Sequence, residues 1–119
     1  MKKISEFVQS KIEEATKGKI PSFPIIANGD PKLPYITYDC EQWESVYSKS
    51  GLEGFWSEFS LSIFSSTYGE GIEIVDALID AFDRCKMDGF VDQCRVISGN
   101  TDYSSSFVNT VNIRIGHGR

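Results

Sequence analysis

The segment Phe55–Ser66 alternates apolar and polar residues more cleanly than any other part of the chain. Phe59, Leu61 and Ile63 fall on one side, and Glu58, Ser60 and Ser62 on the other. Period two with a single apolar side predicts a strand in a sheet whose far face is wet or partnered. The remaining elements must supply the strand's neighbours and cover its apolar side.

Two helical patterns can do the covering. Ile4, Phe7, Val8, Ile12 and Ala15 draw one stripe along a helix from Ile4 to about Lys17, with Gly18 as its stop. Tyr68 to Cys85 is a second, strongly amphipathic helix, with Ile72, Val75, Leu78, Ile79 and Phe82 as the expected buried stripe. Glu73, Asp76, Asp80 and Asp83 run down its opposite side.

Strands account for most of the rest. Leu33–Cys40 is rich in aromatic and β-branched residues and opens a strand. Val91 to about Ser98 and Phe107–Ile115 read as a closing pair, joined by the polar stretch Gly99–Ser105. Two prolines in Ile20–Ile26 forbid a helix and disfavour a central strand there. Asn28-Gly29-Asp30-Pro31 is a turn by composition. The stretch Glu41–Leu52 fits either a continuation through Trp43 and Val46 that returns at Ser50-Gly51, or an ordered loop.

The expected fold is therefore α+β in two layers: a mostly antiparallel, four-stranded sheet with two helices on one face, in the order α-β-β-α-β-β. With 119 residues and no internal boundary or repeat, one domain over 1–119 is expected. Its radius of gyration should be roughly 13–14 Å.

Charge argues against a nucleic-acid partner. The formal net charge is −5, and no window carries the basic patch that phosphate neutralisation needs. Lys2, Lys3, Lys11, Lys17 and Lys19 alternate with Glu6, Glu13 and Glu14 around the first helix, as on a solvated face. No apolar run is long enough for a spanning helix or a signal peptide, so no membrane role is expected and the cytoplasm is the expected location. Cys40, Cys85 and Cys94 lack the spacing of a structural zinc site and read as buried, reduced thiols.

The search for catalytic chemistry yields little. His117 stands between Gly116 and Gly118, a setting expected to offer neither rigidity nor an orienting partner. No serine lies in a G-x-S-x-G elbow, and Ser57, Ser60, Ser62 and Ser65 are expected to line the polar side of a strand. Gly69-Glu70-Gly71 lacks the third glycine of a dinucleotide loop, because position 74 is Ile74, and instead makes the turn into a helix. The acidic stripe lacks a second ligand-bearing segment and reads as a solvated face. A hydrolase or isomerase would need a carboxylate buried against the sheet, with Asp39 the best placed. No catalytic residue, cofactor or metal is assigned, and the chain is not expected to be an enzyme.

An interaction role fits better. Aromatic residues make up 13% of the chain, and Trp43, Tyr47, Phe55 and Trp56 cluster around the ambiguous segment as candidate interface anchors. The face carrying Ser60 and Ser62 suits a neighbouring subunit or a hydrated lumen. A binding module for a small ligand is the alternative, and its sign would be a pocket lined by Trp43, Tyr47 and Phe55.

Leu33-Pro34-Tyr35-Ile36-Thr37-Tyr38 resembles the "lPYvvy" strand of the tail-completion and tail-terminator proteins of long-tailed bacteriophages. The similarity continues through Phe59–Tyr68, a strand ending in a Ser/Thr-Tyr segment that leads directly into the helix. It covers nearly the whole chain in order and length, with Glu41–Gly54 left unmatched. The resemblance implies a ring-forming virion protein at the head–tail joint or the top of the tail tube, partnered by itself and by tail or connector proteins. It further implies contact surfaces on the polar strand face and the loops around Trp43 and Asn100–Ser105, including Tyr103. It offers no catalytic residue to transfer.

Overall fold

The computed structural model describes every residue except 28 and 30. Helix α1 (Lys2–Thr16) is followed by strands β1 (Ser22–Pro24), β2 (Tyr35–Ser48) and β3 (Gly51–Ser65), helix α2 (Tyr68–Phe82), and strands β4 (Val91–Tyr103) and β5 (Phe107–His117). One five-stranded sheet has the order β1-β2-β3-β5-β4, antiparallel throughout except for the parallel β1–β2 pair. The α+β class stands, with one strand more than expected. The extra strand is β1, in the proline-bearing segment, and it occupies a sheet edge where prolines are tolerated. The turn expected at Asn28–Pro31 includes residues 28 and 30, outside the described residues.

Both helices lie on one face of the sheet. Ile4, Val8 and Ile12 of α1 are wholly buried, at the spacing of one helical stripe. Helix α1 ends on Lys17 in the left-handed conformation, with the Gly18 amide returning to the Glu13 carbonyl at 2.9 Å. Thr67 caps α2, its hydroxyl accepting from the Glu70 amide at 3.2 Å, and Glu70 lies in the positive first turn. The inner sheet face contributes Ile36, Tyr38, Phe59, Leu61, Ile63, Val111, Ile113 and Ile115 to the core.

The buried stripe of α2 is rotated from the expected one. Gly71, Ile74, Leu78 and Phe82 point inward, while Ile72, Val75 and Ile79 are only half-buried. Apolar residues cover a wide arc of this helix, so the sheet decides which of them are enclosed. Helix α2 also stops at Phe82, three residues short of Cys85.

The glycines at the start of α2 do not make the turn into it. Both lie inside the helix, and Gly71 packs tightly against the sheet. A Cβ there would sit 2.5 Å from Asn109 Nδ2 and 2.6 Å from Ser65 Oγ, whereas one on Gly69 would meet nothing within 4 Å.

The molecule is elongated, 50 × 26 × 24 Å, with a radius of gyration of 14.7 Å, above the value expected for a compact chain of this length. The cause is a mismatch of lengths. A 15-residue helix spans about 22 Å, whereas the 15 residues of β3 span about 50 Å. The β2–β3 hairpin therefore runs past the helices as an arm. The ambiguous segment is strand on both sides of a turn at Lys49-Ser50, with a bulge between Cys40 and Gln42 and another between Val46 and Tyr47. Likewise β4 continues to Tyr103, so Gly99–Tyr103 is strand, and only Ser104–Ser106 forms the turn.

Gly71→Ala is expected to destabilise the fold by about 1–3 kcal/mol through overpacking. Gly69→Ala should instead stabilise it by about 0.5–1 kcal/mol through helix propensity. Urea unfolding of the two variants side by side checks both signs.

Candidate interaction surfaces

Cross-strand register sorts the candidate residues onto surfaces. The sheet divides the aromatic group that sequence placed together. Trp43 and Phe55 stand on the helix-side face, edge to face at 5.5 Å. Trp56 stands on the opposite, outer face, half-buried, with the Arg114 guanidinium 4.7 Å from its ring centroid. Its cross-strand partner is Gly116, where a Cβ would lie 3.1 Å from the indole. Tyr47 lies towards the tip of the arm. Trp43 is 55% exposed and Tyr47 69% exposed, a large apolar area on a segment the helix layer does not reach.

The outer face carries no helix among the described residues, and its centre is polar. One row across four strands reads Thr37, Ser62, Thr110 and Asn100; the next reads Asp39, Ser60, Asn112 and Ser98. Asn112 Nδ2 donates to Ser98 Oγ at 3.1 Å. A third row, Gln42, Glu58, Arg114 and Arg95, holds an ionic network. Arg114 lies 3.9 Å from Glu58 and 3.8 Å from Glu44, and Gln42 hydrogen-bonds Glu58. Ser62 is partly exposed on this face, but Ser60 is enclosed by its neighbours and offers little contact area. Asp39, which a catalytic reading would bury, is half-exposed here opposite Ser60.

At the opposite end of the long axis, Asn100 and Tyr103 lie on β4 itself. Tyr103 packs on Phe107 at 4.8 Å, and Phe107 meets Tyr68 edge to face at 6.1 Å. Tyr103 and Tyr68 are both more than half exposed. Aromatic surface thus stands at both ends of the molecule.

Two serines and the histidine depart from expectation. Ser57 and Ser65 share the parity of Phe59, so they lie on the buried helix-side face instead of the polar one. His117 is not on a loose tail. It is the last residue of β5, buried, with its ring 5.7 Å from that of Phe55 and 5.5 Å from that of Phe90. Its Nδ1–H donates to the Gly118 carbonyl at 2.8 Å, which leaves Nε2 to accept from the Ser57 hydroxyl at 2.7 Å. Sequence reasoning missed this pair because the two residues are 60 positions apart and meet only through the β3–β5 register. Ser57 has no exposed surface, so the pair closes the end of the core with its hydrogen bonds satisfied.

The thiols also differ from a uniformly buried set: Cys94 is buried, but Cys40 and Cys85 are half-buried. The neighbouring Cys85, together with burial, pushes the Cys94 thiol well up. Glu73, Asp76, Asp80 and Asp83 are all exposed, and no cluster of three or more potential metal ligands occurs among the described residues. The concavity nearest the aromatic group, about 220 Å³, is lined by Phe55, Trp56, Gly116 and His117 but not by Trp43 or Tyr47. That concavity does not bring Trp43, Tyr47 and Phe55 together.

No protein-family model matches the chain, and no curated protein does. Its fold is shared with solved structures. One is a chain of the virion of a native gene transfer agent particle, with a TM-score of 0.71 and 13% sequence identity. The match covers 93% of this chain and 92% of that one.

Burial lowers the His117 pKa, and in the unfolded chain the imidazole titrates near 6.5. The folded state therefore resists a proton that the unfolded state accepts, so stability falls as pH drops through about 6.5. The urea midpoint is expected to decline between about pH 7.5 and 5.5, and His117→Phe should flatten that decline. Ser57→Ala, which leaves buried Nε2 without its donor, should cost about 1–3 kcal/mol at neutral pH.

Proposed function

We propose that this chain is a structural subunit of a phage-like particle, acting by protein association instead of catalysis. The observation that carries the reading is the near end-to-end fold match to a virion chain of a gene transfer agent particle. The placement of exposed aromatic residues on an arm that the core does not need supports it.

Within that class, the function is tail completion or tail termination. The subunit self-associates into a ring and docks on tail or connector proteins at the head–tail joint or the top of the tail tube. The open polar sheet face suits a hydrated lumen or a flat contact, and the arm and the Tyr103 end suit contacts between neighbours. A heterologous arrangement, one end of a subunit against a different part of the next, closes into a ring when its rotation permits. The net negative charge of the chain disfavours a grip on DNA, which suits passage over binding. In the producing cell the subunit is cytoplasmic until it enters the particle.

Light scattering over a range of concentrations, with negative-stain images of any large species, tests the reading. A closed ring of several subunits is the expected result, and a chain that neither self-associates nor binds assembled tails sinks it. Trp43→Ala and Tyr47→Ala should each weaken association about tenfold or more if they are interface anchors. Tyr47→Ala should leave the unfolding free energy within about 0.5 kcal/mol of the parent chain, whereas Trp43→Ala also loses its edge-to-face contact with Phe55 and should cost about 0.5–1.5 kcal/mol.

A further inference from the structure

The two edges of the sheet are chemically unlike, and the difference identifies which part of one subunit meets which part of the next. Strand β1 covers β2 only at Ile36, Thr37 and Tyr38, so the arm portion of β2 has no strand on its outer side among the described residues. That free edge carries the exposed carboxylates Glu41 and Glu44; Glu44 also lies 3.8 Å from Arg114 on β5, and Lys49 stands at the turn.

At the other edge of the sheet, the connection from α2 lies against the start of β4, through Arg84 N–H to the Cys94 carbonyl at 3.0 Å and the Met87–Val91 bridge. Beside it is a concavity of about 570 Å³ lined by Arg84, Lys86 and Arg95, with Asp92 the one acidic residue among the described residues lining it. All three cations are exposed, and none has a carboxylate within 4.0 Å among the described residues.

The two charged edges stand level. Gln42, between the two carboxylates, pairs with Glu58, which pairs with Arg114, which pairs with Arg95. Glu41, Glu44 and Arg95 are therefore at one height on opposite sides of the sheet, too far apart to meet within one molecule. Strand sense agrees too. Because β2, β3, β5 and β4 alternate in direction, β2 of one copy set beside β4 of an equally oriented neighbour is antiparallel to it. Exposed sheet edges invite such neighbours, and opposite charge selects the register.

We infer that the β2 arm of one copy lies against the β4 side of the next, with Glu41 and Glu44 facing the basic concavity of Arg84, Lys86 and Arg95. The contact is heterologous and repeats, as a ring requires. It rests on the self-association reading above and names its interface.

The test is a charge exchange. The E41K/E44K chain alone and the K86E/R95E chain alone should each need about tenfold higher concentration than the parent to reach the same mass in light scattering. A one-to-one mixture of the two should recover the parent's behaviour. In an alternating ring, each reversed arm faces a reversed concavity and each native arm a native one. On the unaltered chain, a carbodiimide should couple Glu41 or Glu44 of one copy to Lys86 of another, read by mass spectrometry of the cross-linked peptides. This second measurement does not depend on the variants folding. If the parent associates but neither variant shifts it, if the mixture fails to recover, or if the cross-link is absent, the pairing is overturned and self-association stands. If the parent remains monomeric at every concentration, self-association itself is lost and the pairing with it.

Discussion

A sheet roughly twice as long as the helices that cover it is the constraint on which the rest of this structure depends. Burial of one apolar sheet face against two helices provides the main stabilising term. That term acts only where α1 and α2 lie, over Ile36, Phe59, Leu61, Ile63, Val111 and Ile113 and their neighbours. Beyond the helices the strands must be held by pairing with one another and by cross-strand side-chain contacts. Trp43 against Phe55, and Trp56 under Arg114 and over Gly116, are contacts of that kind. They order the base of the arm without enclosing it, and so aromatic surface remains available there.

Buried polar groups stand at the boundary between the covered and uncovered lengths. At one end of the core, His117 and Ser57 satisfy each other between the rings of Phe55 and Phe90. Towards the other end, Asn109 Oδ1 accepts from Thr101 at 2.5 Å, while its buried amide nitrogen, beside Gly71, has no hydrogen-bond partner among the described residues. A histidine and a serine in hydrogen-bonding contact invite a nucleophilic reading. Here the hydroxyl is enclosed, and burial lowers the pKa of the ring it bonds.

Much of this architecture was legible from residue order. The stripe Ile4, Val8, Ile12, the alternation Phe59, Leu61, Ile63 and the strand Val111, Ile113, Ile115 each belong to an element with one face in the core, and that is where periodicity is strongest. The arm was ambiguous for the converse reason. Glu41 to Ser45 are all exposed, so no face of that stretch imposes an alternation. The end of β4 read as a loop because Gly99–Tyr103 is exposed on both sides. Strand β1 was hidden in three residues flanked by prolines, where only an available sheet edge makes a strand.

Sequence by itself determined the class of fold, the identity of both helices, the polar outer face and the solvated acidic stripe, because each follows from local period and composition. Tertiary structure alone decided the parity of Ser57 and Ser65, the rotation of α2 and the separation of Trp43 from Trp56. It also decided the meeting of His117 with Ser57 and the level placement of Glu41 and Glu44 opposite Arg95. All of these depend on strand register or on where a helix is seated. Register is a relation between segments far apart in the chain, and a shift of a single residue exchanges the two faces of a strand.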